Sequence, residues 1–371
     1  MTRLRDLGLS VGQLPPGPGN AITDVTGVRV GVTTLIEGEG PLVVGQGPVR
    51  TGVTVVVPHE RIGDSPVFAG THTLNGNGEM TGLEWVRESG HLSTPVAITN
   101  THSVGVVRDA LVAADMAHHD ARGSWWSLPV VAETYDGALN DINGMHVTAA
   151  HVRAALAGAS DGAVPEGNVG GGTGMICHEF KGGTGTASRV VNGWTVGALV
   201  QSNYGDRERL AIDGVPVGRE LTRSVIPSAW DEEEAVARAG AGSIIVVLAT
   251  DAPLLPSQLD RLAQRAGLGI ARMGGNGAHS SGDIFLAFST ANADAMQSSK
   301  AEETMTPFSV SMLPGSAMSE LFWAAIESTE EAICNALVAA ETTVGRDGIT
   351  AHALPHDQLV DVMTQYGRGP S

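Results

Sequence analysis

Apolar residues along this chain fall into runs of two kinds. Some are strand-length, rich in β-branched residues and without polar alternation: residues 52–58, residues 95–101 and, above all, residues 243–250, Ser-Ile-Ile-Val-Val-Leu-Ala-Thr. A run of that kind reads as a strand covered on both faces. Residues 25–34 and 193–205 alternate instead and suit half-buried strands. Residues 128–135 begin as a strand and turn polar at Glu133, whereas residues 280–289 begin polar and turn apolar. Helical spacing appears at 80–86, at 104–117 (Val107, Ala110, Leu111, Ala114), at 146–156 and at 358–366. Residues 257–267 put Leu259, Leu262, Ala263 and Ala266 on one helical face, with Gly267 as the expected stop. The longest signal is 319–343. Leu321, Phe322, Ala325, Ile326, Ile333 and Leu337 make its apolar side, Glu327, Glu330, Glu331 and Glu341 its polar one, and Gly345 ends it. Residues 14–19, 74–79 and 273–277 read as loops. With no internal repeat, linker or low-complexity stretch, the pattern predicts one domain with central sheets covered outside by helices.

Composition sharpens this picture. Hydrophobic residues are 42% of the 371 and charged residues 17%, so a large core is expected. The 49 glycines point to tight turns and close backbone approaches. Two glycine-rich stretches, 170–175 and 181–186, lack the GxxxxGK[ST] and GxGxxG patterns of phosphate loops and read as turns between antiparallel strands. A net charge of −18 argues against nucleic acid, which needs clustered Lys and Arg, and against an anionic membrane surface. Cys177 and Cys334 stand far apart without metal or redox spacing and read as reduced core thiols. The N-terminal residues are not followed by an apolar stretch, and no apolar run reaches the roughly 18 residues of a membrane span. The expectation is a cytoplasmic protein.

The chemistry concentrates at residues 240–251, where a Gly-Ala-Gly lead-in meets Ser243 at the head of the most apolar strand. A serine nucleophile needs a base, and the familiar arrangements are missing. No GxSxG elbow surrounds Ser243. His178-Glu179 does not make HExxH, because Gly182 stands where the second His belongs. The lysines are Lys181 and Lys300, neither in SxxK spacing with Ser243, and His118-His119 read as surface residues of a helix. Scission of the Gly242–Ser243 bond would create a base: an α-amine of pKa about 7.7–8.0 on the residue that carries the hydroxyl. Gly242 permits the strained backbone that an N-to-O acyl shift needs. Residues 206–242, charged and then Gly/Ala-rich, are expected to be exposed and mobile as scission requires. An ordinary Gly-Ser turn before a strand is the competing reading. On local sequence alone Glu133 is a solvated strand-end acid or a functional group, and Asn203 a turn residue or an oxyanion donor.

At these residues the chain resembles the β-peptidyl aminopeptidases and L-aminopeptidase/D-amino-acid esterase-amidases. Several stretches carry the likeness: Arg5-Asp6-Leu7-Gly8, residues 20–25, Glu133-Thr134-Tyr135-Asp136-Gly137, residues 170–175, 199–205, 242–256 and 281–289. The most specific is Gly-Ser-Ile-Ile-Val-Val with its Ala-Thr-Asp-Ala-Pro-Leu-Leu-Pro continuation. The resemblance implies a precursor that cuts itself into an α chain, 1–242, and a β chain, 243–371, within a single α+β catalytic domain. It implies a four-layer αββα sandwich similar to the N-terminal-nucleophile hydrolases, and αβ units assembling into a tetramer. Substrates would be short peptides, amides or esters that lose their N-terminal residue, and no cofactor or metal is implied. Ser243 falls on the nucleophile. Ser281 and Asp283 fall on a Ser-x-acid pair that orients its amine, the acid being Glu in some members and one methylene shorter here. Asn203 falls on the oxyanion asparagine, Glu133 on the acid that meets the substrate's ammonium, and Tyr135 on a pocket tyrosine. Pocket walls are expected near residues 75–79, 125–126 and Tyr135. Related acyltransferases of the ornithine acetyltransferase type and amide-oligomer hydrolases usually carry Thr at the cut site. A binding or assembly protein that never cleaves is the alternative of another class.

Overall fold

The computed structural model describes residues 1–118, 125–231, 233–234, 242–296 and 307–370. Its strands are β1 (Arg29–Glu37), β2 (Val49–Val57), β3 (Val67–Gly76), β4 (His91–Leu92), β5 (Val96–Asn100), β6 (Val130–Thr134), β7 (Ile176–Cys177), β8 (Phe180–Lys181), β9 (Gly183–Val191), β10 (Trp194–Asn203), β11 (Ser243–Thr250) and β12 (Gly282–Ser289), with a small pair β13 (Thr343–Val344) and β14 (Thr350–Ala351) near the end. The α-helices are α1 (Leu83–Ser89), α2 (Val104–His118), α3 (Ala149–Ala157), α4 (Val217–Glu220), α5 (Pro256–Arg272), α6 (Met318–Val338) and α7 (His356–Gln365). It is a mixed α/β fold. One sheet has the order β1-β2-β5-β6 and the other β4-β3-β12-β11-β10-β9. Neighbours within them run antiparallel except β5–β6 and β11–β12, which are parallel.

Strand β11 shows why its sequence lacks alternation. Ile245, Val247 and Ala249 join Val56, Ile98 and Ala132 of the other sheet in one core, while Ile244, Val246 and Leu248 join Leu259 and Leu262 of α5 and Ile333 and Leu337 of α6 in another. Both faces are buried, so both must be apolar. A further core joins Val53, Val55, Ala97 and Val131 to Val107 and Leu111 of α2 and Val152 of α3.

Several elements depart from the sequence expectations, each for a packing reason. Helix α5 runs past Gly267 to Arg272, and at Gly269 it crosses α6 so closely that a Cβ would lie 2.7 Å from Ile326 O. Helix α6 ends at Val338, before Gly345, and Glu327, Glu330 and Glu331 of its supposed polar side are buried, whereas Glu341 lies beyond the helix and is exposed. Glu331 accepts from Arg5 Nε at 2.7 Å and Arg189 Nη2 at 2.6 Å, Glu327 pairs with Arg189 at 3.2 Å, and Glu330 with Arg272 at 2.5 Å. Residues 181–186 are strand rather than turn, spanning β8 and the start of β9, whereas Gly170–Gly172 form a 3₁₀ turn. Residues 74–76 finish β3 instead of forming a loop. Much of 206–231 is packed rather than mobile: Arg207 is fully buried, bonded to Leu221 O at 3.0 Å and Ile226 O at 2.9 Å, with its guanidinium 3.7 Å over the Phe180 ring. Residues 235–241, at the expected cut, lie outside the described residues, as does His119. Cys177 and Cys334 are free and buried.

Candidate active site

Three strand ends meet where the two sheets open. Ser243 begins β11 with Asn203, the last residue of β10, as its antiparallel partner, and Asp283 of β12 is in parallel register with Ile244. The Ser243 hydroxyl oxygen accepts from Gly282 N–H at 2.9 Å. Gly242 has φ of +115°, and a Cβ there would lie 2.2 Å from Asn203 O, so only glycine enters the strand along this path.

Behind the serine, Ser281 Oγ donates to Asp283 Oδ2 at 2.6 Å and accepts from Asn75 Nδ2 at 3.0 Å. Asn75 also donates to Gly277 O at 2.8 Å and to Ala278 O. It thereby ties β3 to the loop before β12. Burial pushes the Asp283 carboxyl up from its ordinary range, opposed by the Ser281 hydroxyl and Ile244 N–H.

The Asn203 amide is held at both ends. Its Oδ1 accepts from Ile176 N–H at 2.9 Å and its Nδ2 donates to Tyr135 O at 3.1 Å. A donor on one side and an acceptor on the other fix which way the amide faces. Glu133, near the end of β6, is buried rather than solvated. Its Oε1 accepts from Glu79 N–H at 2.9 Å and its Oε2 from the Thr101 hydroxyl. Burial raises its pKa, with those two hydrogen bonds opposing.

A cavity of about 640 Å³ brings Gly242, Ser243, Asn203, Glu133 and Tyr135 together, with Asn77, Gly78 and Glu79 on one wall. Ser281 and Asp283 do not line it; their neighbour Ser280 does. Trp125 and Trp126, expected as walls, do not line it either: Trp126 packs edge-on against Trp85 at 5.5 Å. Thr101, Ile176 and Trp230 line the cavity unforeseen. Of the expected walls, Tyr135 and residues 77–79 are in place. A hydroxyl, an amide donor and a buried carboxylate thus face one space, a set able to attack a carbonyl, hold the resulting oxyanion and bind a cation.

Comparison with known proteins bears on this site. The chain belongs to peptidase family S58, whose match spans residues 20–351. It is 52% identical to beta-peptidyl aminopeptidase BapA of Sphingosinicella microcystinivorans over 99% of this chain and 93% of that one. The corresponding protein of Sphingosinicella xenopeptidilytica is 44% identical, covering 97% and 90%. Among solved structures, a Burkholderia sp. beta-aminopeptidase superposes with a TM-score of 0.90 at 53% identity, covering 99% of each chain. The L-aminopeptidase D-Ala-esterase/amidase of Ochrobactrum anthropi superposes with a TM-score of 0.89 at 47% identity, again over 99% of each. It is described as a prototype for the serine aminopeptidases and a variant of the Ntn-hydrolase fold.

Proposed function

We propose that this chain is a self-processing serine aminopeptidase that removes N-terminal residues from short peptides, amides or esters, β-aminoacyl, L-aminoacyl or D-aminoacyl. The observation that carries the reading is the convergence of Ser243, Asn203 and Glu133 on one cavity whose lining includes neither His nor Lys among the described residues. With neither His nor Lys in the lining, and with Glu133 assigned to the substrate's ammonium, the α-amine released by cutting Gly242–Ser243 is the proton acceptor. The Glu133 carboxylate binds the substrate's ammonium, which selects chain ends over chain interiors. The amine takes the Ser243 proton, the oxygen attacks the scissile carbonyl, and Asn203 Nδ2 donates to the oxyanion. Loss of one such donor typically costs ~10²–10³ in kcat. The amine then returns its proton to the leaving group, and water or another amine releases the acyl group from Ser243. Ser281 and Asp283 orient the amine from behind. Tyr135 forms part of the substrate pocket. No step calls on a cofactor.

The same reading makes residues 1–242 and 243–371 the α and β chains of one catalytic domain layered helix–sheet–sheet–helix. The three apolar cores, one between the sheets and one on each outer face, support that layering. Assembly of the αβ units into a tetramer and a cytoplasmic location belong to it as well. Among the described residues no helix is long and apolar enough to cross a membrane. The names of the relatives and the serine at the cut site weigh against an acyltransferase or an amide-oligomer hydrolase.

Intact mass spectrometry tests the core of the reading. Active enzyme is expected as two chains meeting at 242/243, and Ser243→Ala as one uncut, inactive chain. A fully active preparation containing only the uncut species overturns it. A panel of aminoacyl and β-aminoacyl p-nitroanilides then ranks the substrates.

A further inference from the structure

The glycine-rich stretches 170–175 and 181–186 enclose the side chain of Lys181. Lys181 is fully buried, and its Nζ donates to three backbone carbonyls: Gly182 O at 2.7 Å, Met175 O at 2.8 Å and Gly172 O at 3.4 Å. Among the described residues no carboxylate pairs with it. The glycines let the backbone close around it. A Cβ on Gly172 would meet Thr184 N at 2.2 Å, and one on Gly182 would meet Ser202 O at 2.5 Å. An ammonium buried without a counter-charge carries a desolvation cost, and burial pulls Lys181 down to about 7.

The Met175 carbonyl leads from this ammonium to the catalytic cavity. Its peptide partner is Ile176 N–H, which donates to Asn203 Oδ1 at 2.9 Å. The Asn203 Nδ2 then donates one hydrogen to Tyr135 O at 3.1 Å, leaving the other for the cavity that Asn203 lines. The hairpin of β7 and β8 sets Lys181 opposite Ile176, so both ends of the relay sit on one rigid unit. Each link hands polarisation to the next: a donor on a carbonyl makes the same peptide's N–H more acidic, and a stronger donor on Oδ1 does the same for Nδ2.

We infer that Lys181 is a positioning residue for the oxyanion donor, orienting and polarising the Asn203 amide through the Met175–Ile176 peptide. This rests on the reading of Asn203 as that donor. The lysine does not line the cavity and touches no substrate. Its N–H donors reach the reaction through one peptide group and one side-chain amide.

Two lysines in the whole chain, Lys181 and Lys300, make the relay directly observable. Enzyme labelled with ¹⁵N-lysine is treated with a diphenyl α-aminoalkylphosphonate, which esterifies a serine with loss of one phenol and, once water has displaced the second, leaves a negatively charged oxygen on the adduct. Lys300→Arg assigns the two Nζ signals. On adduct formation the Lys181 signal is expected to shift. An adduct by mass with an unmoved Lys181 signal overturns the inference. No adduct on Ser243 overturns the active-site reading, and this inference with it.

Kinetics provide the second arm on an activated aminoacyl ester. Lys181→Met is expected to lower kcat about tenfold with KM within about twofold, the signature of an interaction made in the transition state. In an Asn203→Ala background the same substitution is expected to cost nothing further. A full tenfold added to the Asn203→Ala loss means that Lys181 only ties the loop together, and overturns the relay. If Lys181→Met does not fold, the labelled wild-type enzyme decides alone.

Discussion

The carboxylate of Glu133 sits in a buried position where Glu79 N–H and the Thr101 hydroxyl meet it, and burial still raises its pKa above the ordinary 4.5. The unfolded chain therefore loses this proton at lower pH than the folded one. Between the ordinary and the raised value, stability falls as pH rises, and above the raised value the full cost of the buried charge remains. Under the proposed function, binding of a substrate ammonium has the opposite sign, since it needs the ionised form and strengthens as pH rises through the raised value. Function and stability thus draw on different protonation states of one side chain. Glu133→Gln keeps the shape and removes the charge. It is expected to leave Tm at pH 7 at or above that of wild type while raising KM for free-amine p-nitroanilides about ten- to a hundredfold, the usual worth of a charged hydrogen bond. Thermal unfolding and steady-state kinetics on one preparation check both halves. A lower Tm with unchanged KM would assign Glu133 a purely structural part.

Strand β9 and helix α6 meet almost backbone to backbone. A Cβ on Gly185 would lie 2.0 Å from Ala332 O and 2.7 Å from Ala336 N. Gly185→Ala must push the helix off the sheet. Overpacking of this kind costs about 1–3 kcal/mol, and the expected result is a Tm lower by several degrees in a thermal melt. The same contact explains what the sequence concealed. The start of strand β9 reads Gly-Thr-Gly-Thr-Ala-Ser, with no room for a side chain on Gly185 against α6, so it sends no hydrophobic signal. Glu327 and Glu331 read as solvated because their arginines come from positions 5 and 189, far off in sequence. Strands β2, β5 and β11 were legible because both faces must be apolar. In the site, Ser243 stood out at the head of β11, whereas Glu133 and Asn203 carried no more local signal than any strand-end polar residue. Their roles were suggested by resemblance, and the packing of strand ends brings them together. The contacts of Lys181 were beyond reach, since its partners are main-chain carbonyls that any sequence possesses.

Across the whole molecule, the two long strands that follow the proposed cut, β11 and β12, are not at an edge. In the six-stranded sheet β11 and β12 stand between β3 and β10, so the piece starting at Ser243 fills the middle of a sheet whose flanks belong to the other piece. Glu331 of α6 is likewise clamped by Arg5 and Arg189 from the first piece. Two of the three large cores mix residues of both pieces, and only the one beneath α2 and α3 belongs to the first piece alone. Once the bond is cut, the folded state joins two molecules rather than one, and mass action enters its stability. The unfolding midpoint of the cut enzyme is expected to rise with protein concentration more steeply than that of uncut Ser243→Ala, measured side by side. Scission turns a folding equilibrium into a binding equilibrium, and dilution becomes a denaturant.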